Sequence, residues 1–410
     1  MTKYFVKFET TEMANNAPLI LGGESKDERF RSVKKSADIK IVDLTETEKE
    51  LLEAEGVKLY EDVQFAYSPP ERVSENSAVN FWNSTPTTSA SQKSLDDVIQ
   101  HVRADKAWNF SRGRNVTIAI IDTGICGALK EFPQSKRSSV DIPSLFKGQH
   151  WTDIKGHGSM CATIAGGTKK RGGKYNGIAP DSDIISVRSD LSSTDLYTIF
   201  EELIEAKVSG VISGPLVISN SYGLYTCSAP IGLPEDHPYL QIVLDAIQEG
   251  IFVVFAAGNN HYDELCNNNP ADCHPNTIWG VNSHDQVMSI GTVSETETNQ
   301  SSSTPHANSS RGPGQWAANL LKPDCVAPTY GEVVWGCGYR SMDWWGTSGA
   351  CPQVAGLGAL LLSIDPNLSP SDVAKIIRNS CRPLTGAANC VGAGIIDCEA
   401  ALKSLVSGNV

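Results

Sequence analysis

Five short apolar runs are the feature that most restricts how this chain can fold. They occupy 116–121, 183–187, 216–220, 251–256 and 287–293. Helical patterns lie between several of these runs, at 194–208 and 240–248, and another follows at 369–379. Apolar strands that alternate with helices indicate a buried parallel sheet with helices on both faces. We therefore expect residues 94–410 to form one α/β domain with a mostly parallel sheet.

The first 67 residues differ from this pattern and predict a small α+β domain. Strand-like runs at 4–8 and 39–42 are separated by a stretch that we expect to be irregular. Thr45 and Glu48 then occupy the two positions of a helix capping box, and 57–67 has the pattern of a closing strand. Residues 68–93, rich in Pro, Asn, Ser and Thr, are expected to form a linker.

Charge and composition exclude several classes of partner. The chain has 47 acidic and 34 basic residues, a formal net charge of −13. Nucleic-acid binders usually present a basic face, so we expect no nucleic-acid partner, and for the same reason no anionic membrane surface. We find no apolar run near the ~20 residues of a membrane span.

The cysteines and the N-terminal residues favour a cytoplasmic protein. The first residues lack the apolar stretch of a signal peptide, and a secreted location would require an export signal outside this sequence. The 11 cysteines are an odd number, so at least one has no partner within the chain. Cys266 and Cys273 share one loop and are close enough for a local disulfide. In the cytoplasm, however, we expect both to be free thiols.

Four polar residues with glycine neighbours stand where apolar strands end or helices begin. They are Asp122 before Gly124, His157 between two glycines, Asn259 after Gly258, and Ser348 in a Gly-Thr-Ser-Gly segment. Singly, each is typical of a turn or a helix cap. Together they supply the carboxylate, base, oxyanion donor and nucleophile that acyl transfer by serine requires.

These segments, in the order Asp, His, Ser, resemble the three catalytic motifs of the subtilisin-like serine proteases, the subtilases. The resemblance covers about residues 95–405 and includes further segments, at 177–180, 220–223, 309–313 and 322–328. It implies the subtilisin-like fold and a serine endopeptidase acting on peptide or protein substrates.

The resemblance also implies a role for each residue. Ser348 would be the nucleophile, His157 the general base and then acid, and Asp122 the group that orients the imidazole. Asn259 would form the oxyanion hole with the backbone N–H of Ser348. Residues implied to bind substrate are Ser221, Tyr222, Gly223 and Gly258.

The first 67 residues resemble, best over 42–67, the inhibitor-type propeptide of these proteases. The resemblance implies that the N-terminal domain is an intramolecular inhibitor of a self-processing zymogen. The sequence leaves open whether cleavage occurs near Tyr67, within 68–93, or not at all. It also leaves open that residues 1–67 are an α+β domain unrelated to these propeptides. For the whole chain, the alternatives are a catalytically silent peptide-binding homologue and a peptide ligase or macrocyclase.

Other features concern ligands and packing. We expect no required cofactor and no metal site, because 169–176 is too short and basic for the family's common calcium loop. Calcium at other carboxylates is left open.

Cys161 shares a helix face with His157 and is expected to be a small core residue. Gly349 stands where the family usually has a larger residue and is expected to loosen the turn. The histidines expected to be solvated in polar loops are His150, His237, His261, His274, His284 and His306.

Overall fold

The fold was described from a computed structural model. The residues described are 1–21, 29–34, 36–67, 93–138, 140, 142, 144–224, 232–262, 266, 268–269, 271–274, 276–293, 304–316 and 321–408. The expected linker, apart from Lys93, lies outside these residues.

The N-terminal residues form an antiparallel sheet with two helices. The strands are β1 (Thr2–Lys7), β2 (Arg31–Ser32), β3 (Ile39–Leu44) and β4 (Lys58–Glu61), in the order β2-β3-β1-β4. The helices are α1 (Thr11–Ile20) and α2 (Glu46–Ala54). The predicted capping box of α2 is present, since Thr45 Oγ1 accepts from the Glu48 N–H and Glu48 Oε2 accepts from the Thr45 N–H.

Two expectations for this region are wrong. Residues 11–20 are helical, not irregular, because Thr10 caps the first turn at the Met13 N–H and the helix buries Ala14 and Ala17 at a spacing of three. The closing strand is also shorter than expected and ends at Glu61.

The centre of the rest of the described chain is a six-stranded parallel sheet, of which the sequence predicted five strands. Its strands are β5 (Thr117–Asp122), β6 (Asp183–Arg188), β7 (Leu216–Asn220), β8 (Phe252–Ala256), β9 (Met288–Val293) and β10 (Cys325–Pro328). The order is β10-β9-β8-β7-β5-β6, and each neighbouring pair is parallel. Each of the five apolar runs therefore corresponds to a strand, with ends within one residue of those predicted.

A two-stranded hairpin, β11 (Gly331–Trp335) and β12 (Gly338–Met342), precedes the last group of helices and was not predicted. The helices after the N-terminal region are α3 (Leu95–His101), α4 (Ala104–Ala107), α5 (His157–Gly166), α6 (Ser193–Val208), α7 (Pro238–Gln248), α8 (Gly346–Ile364), α9 (Pro370–Ser380), α10 (Ala388–Val391) and α11 (Cys398–Val406).

Helices cover both faces of the central sheet. Along β5, Ile118 and Ile120 pack into the core that includes α5 and α8, whereas Ala119 and Ile121 pack into the core that includes α6 and α7. This alternation is the period of two that a strand imposes. Among the described helices, α8 is long and apolar enough to cross a membrane. However, 89% of its apolar stretch is buried inside the protein, as in the core helix of a globular domain.

The N-terminal sheet packs against the larger unit through aromatic side chains. Phe5 lies 5.4 Å from Tyr197 between ring centroids, and Phe5 and Tyr60 each lie 5.5 Å from the His237 ring. These residues belong to the same buried cluster as the α6 and α7 side of the central sheet. The two units therefore share one continuous core.

Candidate functional site

Asp122 and His157 lie in direct contact. Asp122 ends β5, which pairs with β6 on one side and β7 on the other, so its side chain leaves the carboxyl end of the sheet. His157 begins α5, and its Nδ1 lies 2.8 Å from Asp122 Oδ1 and 2.9 Å from Oδ2. Both side chains are buried. A carboxylate at Nδ1 holds the tautomer whose Nε2 is able to accept a proton.

The glycines beside His157 permit close packing, as the sequence predicts. Gly156 has φ +92°, and a Cβ there would lie 2.6 Å from Trp335 Nε1. The N–H of Gly336 donates to the Gly156 carbonyl at 3.2 Å. The turn of the β11–β12 hairpin therefore packs against Gly156, the residue before His157.

A disulfide ties this hairpin to the segment that follows Asp122. Cys337, in the turn of the hairpin, is bonded to Cys126. The hairpin thus joins two of the site's elements, the segment after Asp122 and the start of α5, and the chain then leads directly into α8.

Ser348 is the third residue of α8. α8 packs along α5. Between them, the Cys161 Sγ lies 3.8 Å from His157 Nδ1 and 3.5 Å from the Ser348 carbonyl oxygen. The Ser348 hydroxyl donates to the Ser221 carbonyl at 3.4 Å. The structure therefore brings together the three residues predicted to form the catalytic triad.

Cys161 is a buried free thiol, as expected. Burial, assisted by the neighbouring Asp122 carboxylate, raises the pKa of the Cys161 thiol well above its ordinary value. The side chain is accordingly a neutral packing group that lies under the imidazole.

Asn259 follows β8 and faces the start of α8. Its Oδ1 accepts from the Thr347 N–H at 3.0 Å and from the Thr347 hydroxyl at 2.9 Å. These two bonds fix the orientation of the side-chain amide, whose Nδ2 has no acceptor among the described residues. A Cβ on Gly346 would lie 3.1 Å from Nδ2, so the glycine keeps the space beside it open. The amide is positioned as a donor next to Ser348.

The chain's own segment 62–67 lies across this site. Ala66 and Gly223 exchange two backbone hydrogen bonds, of 3.0 and 2.8 Å, which is an antiparallel pair. On the other side of the segment, the Phe65 N–H donates to the Leu191 carbonyl at 2.9 Å. The Tyr67 ring lies over His157, with centroids 4.6 Å apart and planes tilted by 33°.

Asp62 anchors this segment at the N-terminus of α6. Its Oδ1 accepts from the Ser193 hydroxyl at 2.8 Å and from the Thr194 N–H at 2.9 Å, and its Oδ2 accepts from the Thr194 hydroxyl at 3.0 Å. A carboxylate there satisfies N–H groups that the helix leaves unpaired and complements the helix dipole. The sequence pattern did not reveal Asp62, since its partners lie in another unit.

The predicted substrate-binding residues divide into two groups. Gly223 pairs with the bound segment through its backbone, and the Ser221 carbonyl contacts the Ser348 hydroxyl. Tyr222 is buried, which raises the pKa of its phenol well above the ordinary value, and the phenol donates to Asn220 Oδ1 at 2.8 Å. Gly258 supports Thr347, since its N–H donates to Thr347 Oγ1 at 3.2 Å.

The expectation that Gly349 loosens the turn after Ser348 is wrong. A Cβ at this position would lie 2.7 Å from the Trp345 Cβ. The Gln353 amide also donates to the Gly349 carbonyl at 3.0 Å and to the Pro328 carbonyl at 2.7 Å. Gly349 therefore permits a close approach within a firmly held turn.

Two further expectations need correction. Cys273 is bonded to Cys390, and Cys266 is also disulfide-bonded, so neither is a free thiol. Several loop histidines are buried, not solvated, because other elements pack over them; they are His150, His237 and His261.

One cluster among the described residues has metal-ligand geometry, and it belongs to the site already described. The ligand atoms of Asp122, His157 and Cys161 lie within 4.8 Å of one another. Both carboxylate oxygens of Asp122 are within hydrogen-bond distance of His157 Nδ1. The cluster is thus explained by the hydrogen-bonded pair and the buried thiol.

Comparison with known proteins relates this chain to one family. Residues 113–394 match the family described as the subtilase family, peptidase S8. Mycosin-1 from Mycobacterium tuberculosis is 29% identical over 327 residues, which is 72% of this chain and 70% of that protein. A calcium-dependent protease from Nostoc sp. is 28% identical over 316 residues, 68% of this chain. The chain spans only 44% of the length of that relative.

A solved structure shares the fold. Fervidolysin from Fervidobacterium pennivorans, described as a keratinolytic enzyme related to subtilisin, superposes with a TM-score of 0.65. The match covers 98% of this chain and 61% of that chain, at 16% identity. The likeness includes the subtilisin-like arrangement of the central sheet and its helices.

Proposed function

Because the chain belongs to the subtilase family, we propose that it is a serine endopeptidase made as a self-processing zymogen. One observation carries this proposal. A segment of the chain's own backbone is paired to Gly223 in the extended form of a substrate, beside the Asp122–His157 pair and Ser348. A cleft that holds extended peptide against a nucleophile and a base is suited to cleaving peptide bonds.

In the proposed reaction Ser348 Oγ attacks the scissile carbonyl carbon while His157 Nε2 takes the hydroxyl proton. The tetrahedral intermediate collapses when His157 gives this proton to the leaving amine, which leaves an acyl-enzyme on Ser348. Water then repeats the two steps and releases the acid. Asp122, bound at Nδ1, orients the imidazole and stabilises its positive form.

The oxyanion that forms during attack requires preorganised donors. Asn259 supplies Nδ2, held by the two bonds from Thr347 to its Oδ1. Ser348 supplies its own N–H, which lies in the first turn of α8 and has no partner within that helix. Donors fixed before the reaction stabilise the developing charge without a cost of reorganisation.

The N-terminal unit acts in this proposal as an intramolecular inhibitor. Residues 65–67 fill the strand position that a substrate needs, and Asp62 and the aromatic contacts of Phe5 and Tyr60 hold the unit in place. Access therefore requires that the unit be cleaved from the chain and released. Cleavage within 68–93 is part of the proposal.

The test compares the purified wild-type chain with two serine variants. Ser348→Ala should remain full length, react with no fluorophosphonate probe and hydrolyse no peptide. The control is Ser363→Ala, because Ser363 lies on the same helix but donates its hydroxyl to the Arg114 carbonyl. This variant should process itself like wild type. Mass and N-terminal sequence would give the cleavage site.

Other outcomes favour the alternatives. A wild-type chain that remains unlabelled after proteolytic removal of the N-terminal unit would indicate a catalytically silent homologue. A product mass that corresponds to joined peptides would indicate a ligase.

We also propose that the protein works where disulfides persist. The disulfides Cys126–Cys337 and Cys273–Cys390 each join cysteines that are far apart in sequence. Disulfides are rare in the reducing cytoplasm. This replaces the expectation of a cytoplasmic protease with free thiols. Mass spectrometry of alkylated protein under non-reducing conditions tests it, since alkylation of Cys126 and Cys337 would contradict the proposal.

A further inference from the structure

The bound segment indicates which peptides the cleft selects; this inference rests on the proposed function. Ala66 pairs with Gly223 in antiparallel register. A peptide bound in the same register has one residue in the place of Ala66, and the second residue after it faces Ser221. The Ser221 carbonyl lies 3.4 Å from Ser348 Oγ. The scissile bond follows the residue that faces Ser221. Tyr67 thus occupies the second position before the scissile bond, and Phe65 the fourth.

The second position is lined by aromatic and cationic groups. The Tyr67 ring lies on the face of His157 at 4.6 Å, and Lys155 Nζ lies 5.3 Å from the Tyr67 centroid. The His157 ring is in turn backed by the edge of Trp335, at 6.3 Å and 88°. Ring faces attract an ammonium group, and aromatic pairs gain energy beyond the area that they bury. An aliphatic side chain at this position would lack both contributions.

The fourth position is an aromatic pocket. Phe65 is 1% exposed, and its ring meets Tyr239 at 5.2 Å and Tyr222 at 5.9 Å, both nearly edge to face. The hydroxyls of Tyr222 and Tyr239 lie 2.9 Å apart, within hydrogen-bond distance, which fixes the two walls. Such a pocket is shaped for a ring.

We infer that the enzyme selects an aromatic side chain at the second position before the scissile bond, and that Lys155 is the specificity-determining residue for it. Phe65 and Tyr67 share one face of the extended segment because side chains two apart point the same way. One rigid cleft therefore reads both rings at once.

The test uses quenched fluorescent peptides that contain Gln-Phe-Ala-Tyr-Ser, the sequence of the chain at 64–68. The enzyme is the full chain after its own processing or after limited trypsin digestion. Replacing Tyr by Ala should lower kcat/KM about tenfold. Replacing Phe by Ala should lower it about 30-fold, because a buried ring is lost from its pocket.

A second comparison isolates the contribution of Lys155. Peptides with Phe or cyclohexylalanine at the Tyr position carry six-membered carbon rings of similar size, but only the ring of Phe has a quadrupole. Wild type should prefer Phe over cyclohexylalanine about threefold more strongly than Lys155→Met does, because this variant keeps the contact with His157 but loses the ammonium group. Lys375→Met, an exposed lysine on α9, is the matched control and should keep the preference.

Three outcomes would count against these statements, and they are distinguishable. Equal kcat/KM for the Tyr and Ala peptides would overturn the inference and leave the endopeptidase proposal intact. An equal preference for Phe in wild type and Lys155→Met would overturn the assignment of Lys155. Hydrolysis of no peptide, with no fluorophosphonate labelling, would overturn the proposed function and this inference with it.

Discussion

Protonation of His237 is expected to release the N-terminal unit. His237 is the N-cap of α7, where its Nδ1 accepts from the Tyr239 N–H at 3.1 Å, and it is 2% exposed. Phe5 and Tyr60 of the N-terminal unit each pack against its ring at 5.5 Å. The histidine is therefore enclosed between the two units, and undocking would return it to water.

The size of the effect follows from the pKa of His237. Burial lowers this pKa from 6.5 to about 4, against the opposing effects of the Glu61 backbone and the Asp236 carboxylate. The docked protein thus binds fewer protons than the undocked one. Docking has its full strength above pH 6.5 and weakens as the pH falls from 6.5 to about 4, by up to about 3 kcal/mol. The adjacent Asp236 pairs with Lys58, which lowers the pKa of this carboxyl, so that ion pair persists through the same range.

The assay measures the dissociation constant of the two units. Ser348→Ala protein, which should not process itself, is nicked by trypsin, for which 68–92 contains Arg72. Between pH 7.5 and pH 5 the dissociation constant should rise by up to about 30-fold. His237→Asn keeps an acceptor for the Tyr239 N–H but does not titrate, so its dissociation constant should change much less.

The control is another buried histidine. His101 also has a pKa lowered by burial to about 4, but it contacts Tyr330 away from the N-terminal unit. His101→Gln should leave the pH dependence of docking unchanged. Equal pH dependence in wild type and His237→Asn would refute the reasoning.

Three further predictions concern the site and its supports. Asn259→Ala should lower kcat about 10²–10³-fold with little change in KM, because a transition-state donor is lost. Asn367→Ala, on the surface, should leave kcat unchanged. Steady-state kinetics on one peptide would measure both effects. Asp62→Ala should weaken docking by about 1–3 kcal/mol through the loss of its bonds to Ser193 and Thr194, whereas the exposed Asp43→Ala should leave the dissociation constant unchanged. Gly349→Ala should lower the free energy of unfolding by about 1–3 kcal/mol because its Cβ meets Trp345, and Gly338→Ala, with no atom within 4 Å of the added Cβ, should not; urea denaturation that shows equal losses would contradict the packing argument.

The sequence predicted those parts of the site that local patterns specify. Asp122 ends one apolar strand and Asn259 lies shortly after another, and parallel strands bring their carboxyl ends to one edge of the sheet. His157 and Ser348 begin apolar helices whose glycine neighbours indicate close packing. Since these signals lie within a few residues of each side chain, reading them required no knowledge of tertiary contacts.

The parts that were missed depend on contacts between distant segments. Cys126 and Cys337 are 211 residues apart, and nothing near either one predicts the bond. His237 lies in a polar stretch, and its ring packs against Phe5 and Tyr60, which come from another unit. Helix α1 is a different case, since Thr10 with alanines at 14 and 17 was a readable local signal.

The contacts that hold the N-terminal unit fall into two sets with separate consequences. Phe65, Ala66 and Tyr67 occupy the cleft, so a change in the cleft walls that weakens their contacts also changes how the cleft binds a substrate. Asp62, Phe5 and Tyr60 bind outside the cleft, to α6 and to His237. In the proposed zymogen both sets strengthen inhibition, but only the second set can change without altering the cleft. Changes there, including protonation of His237, alter the release of the inhibitor and leave the selectivity of the cleft unaltered.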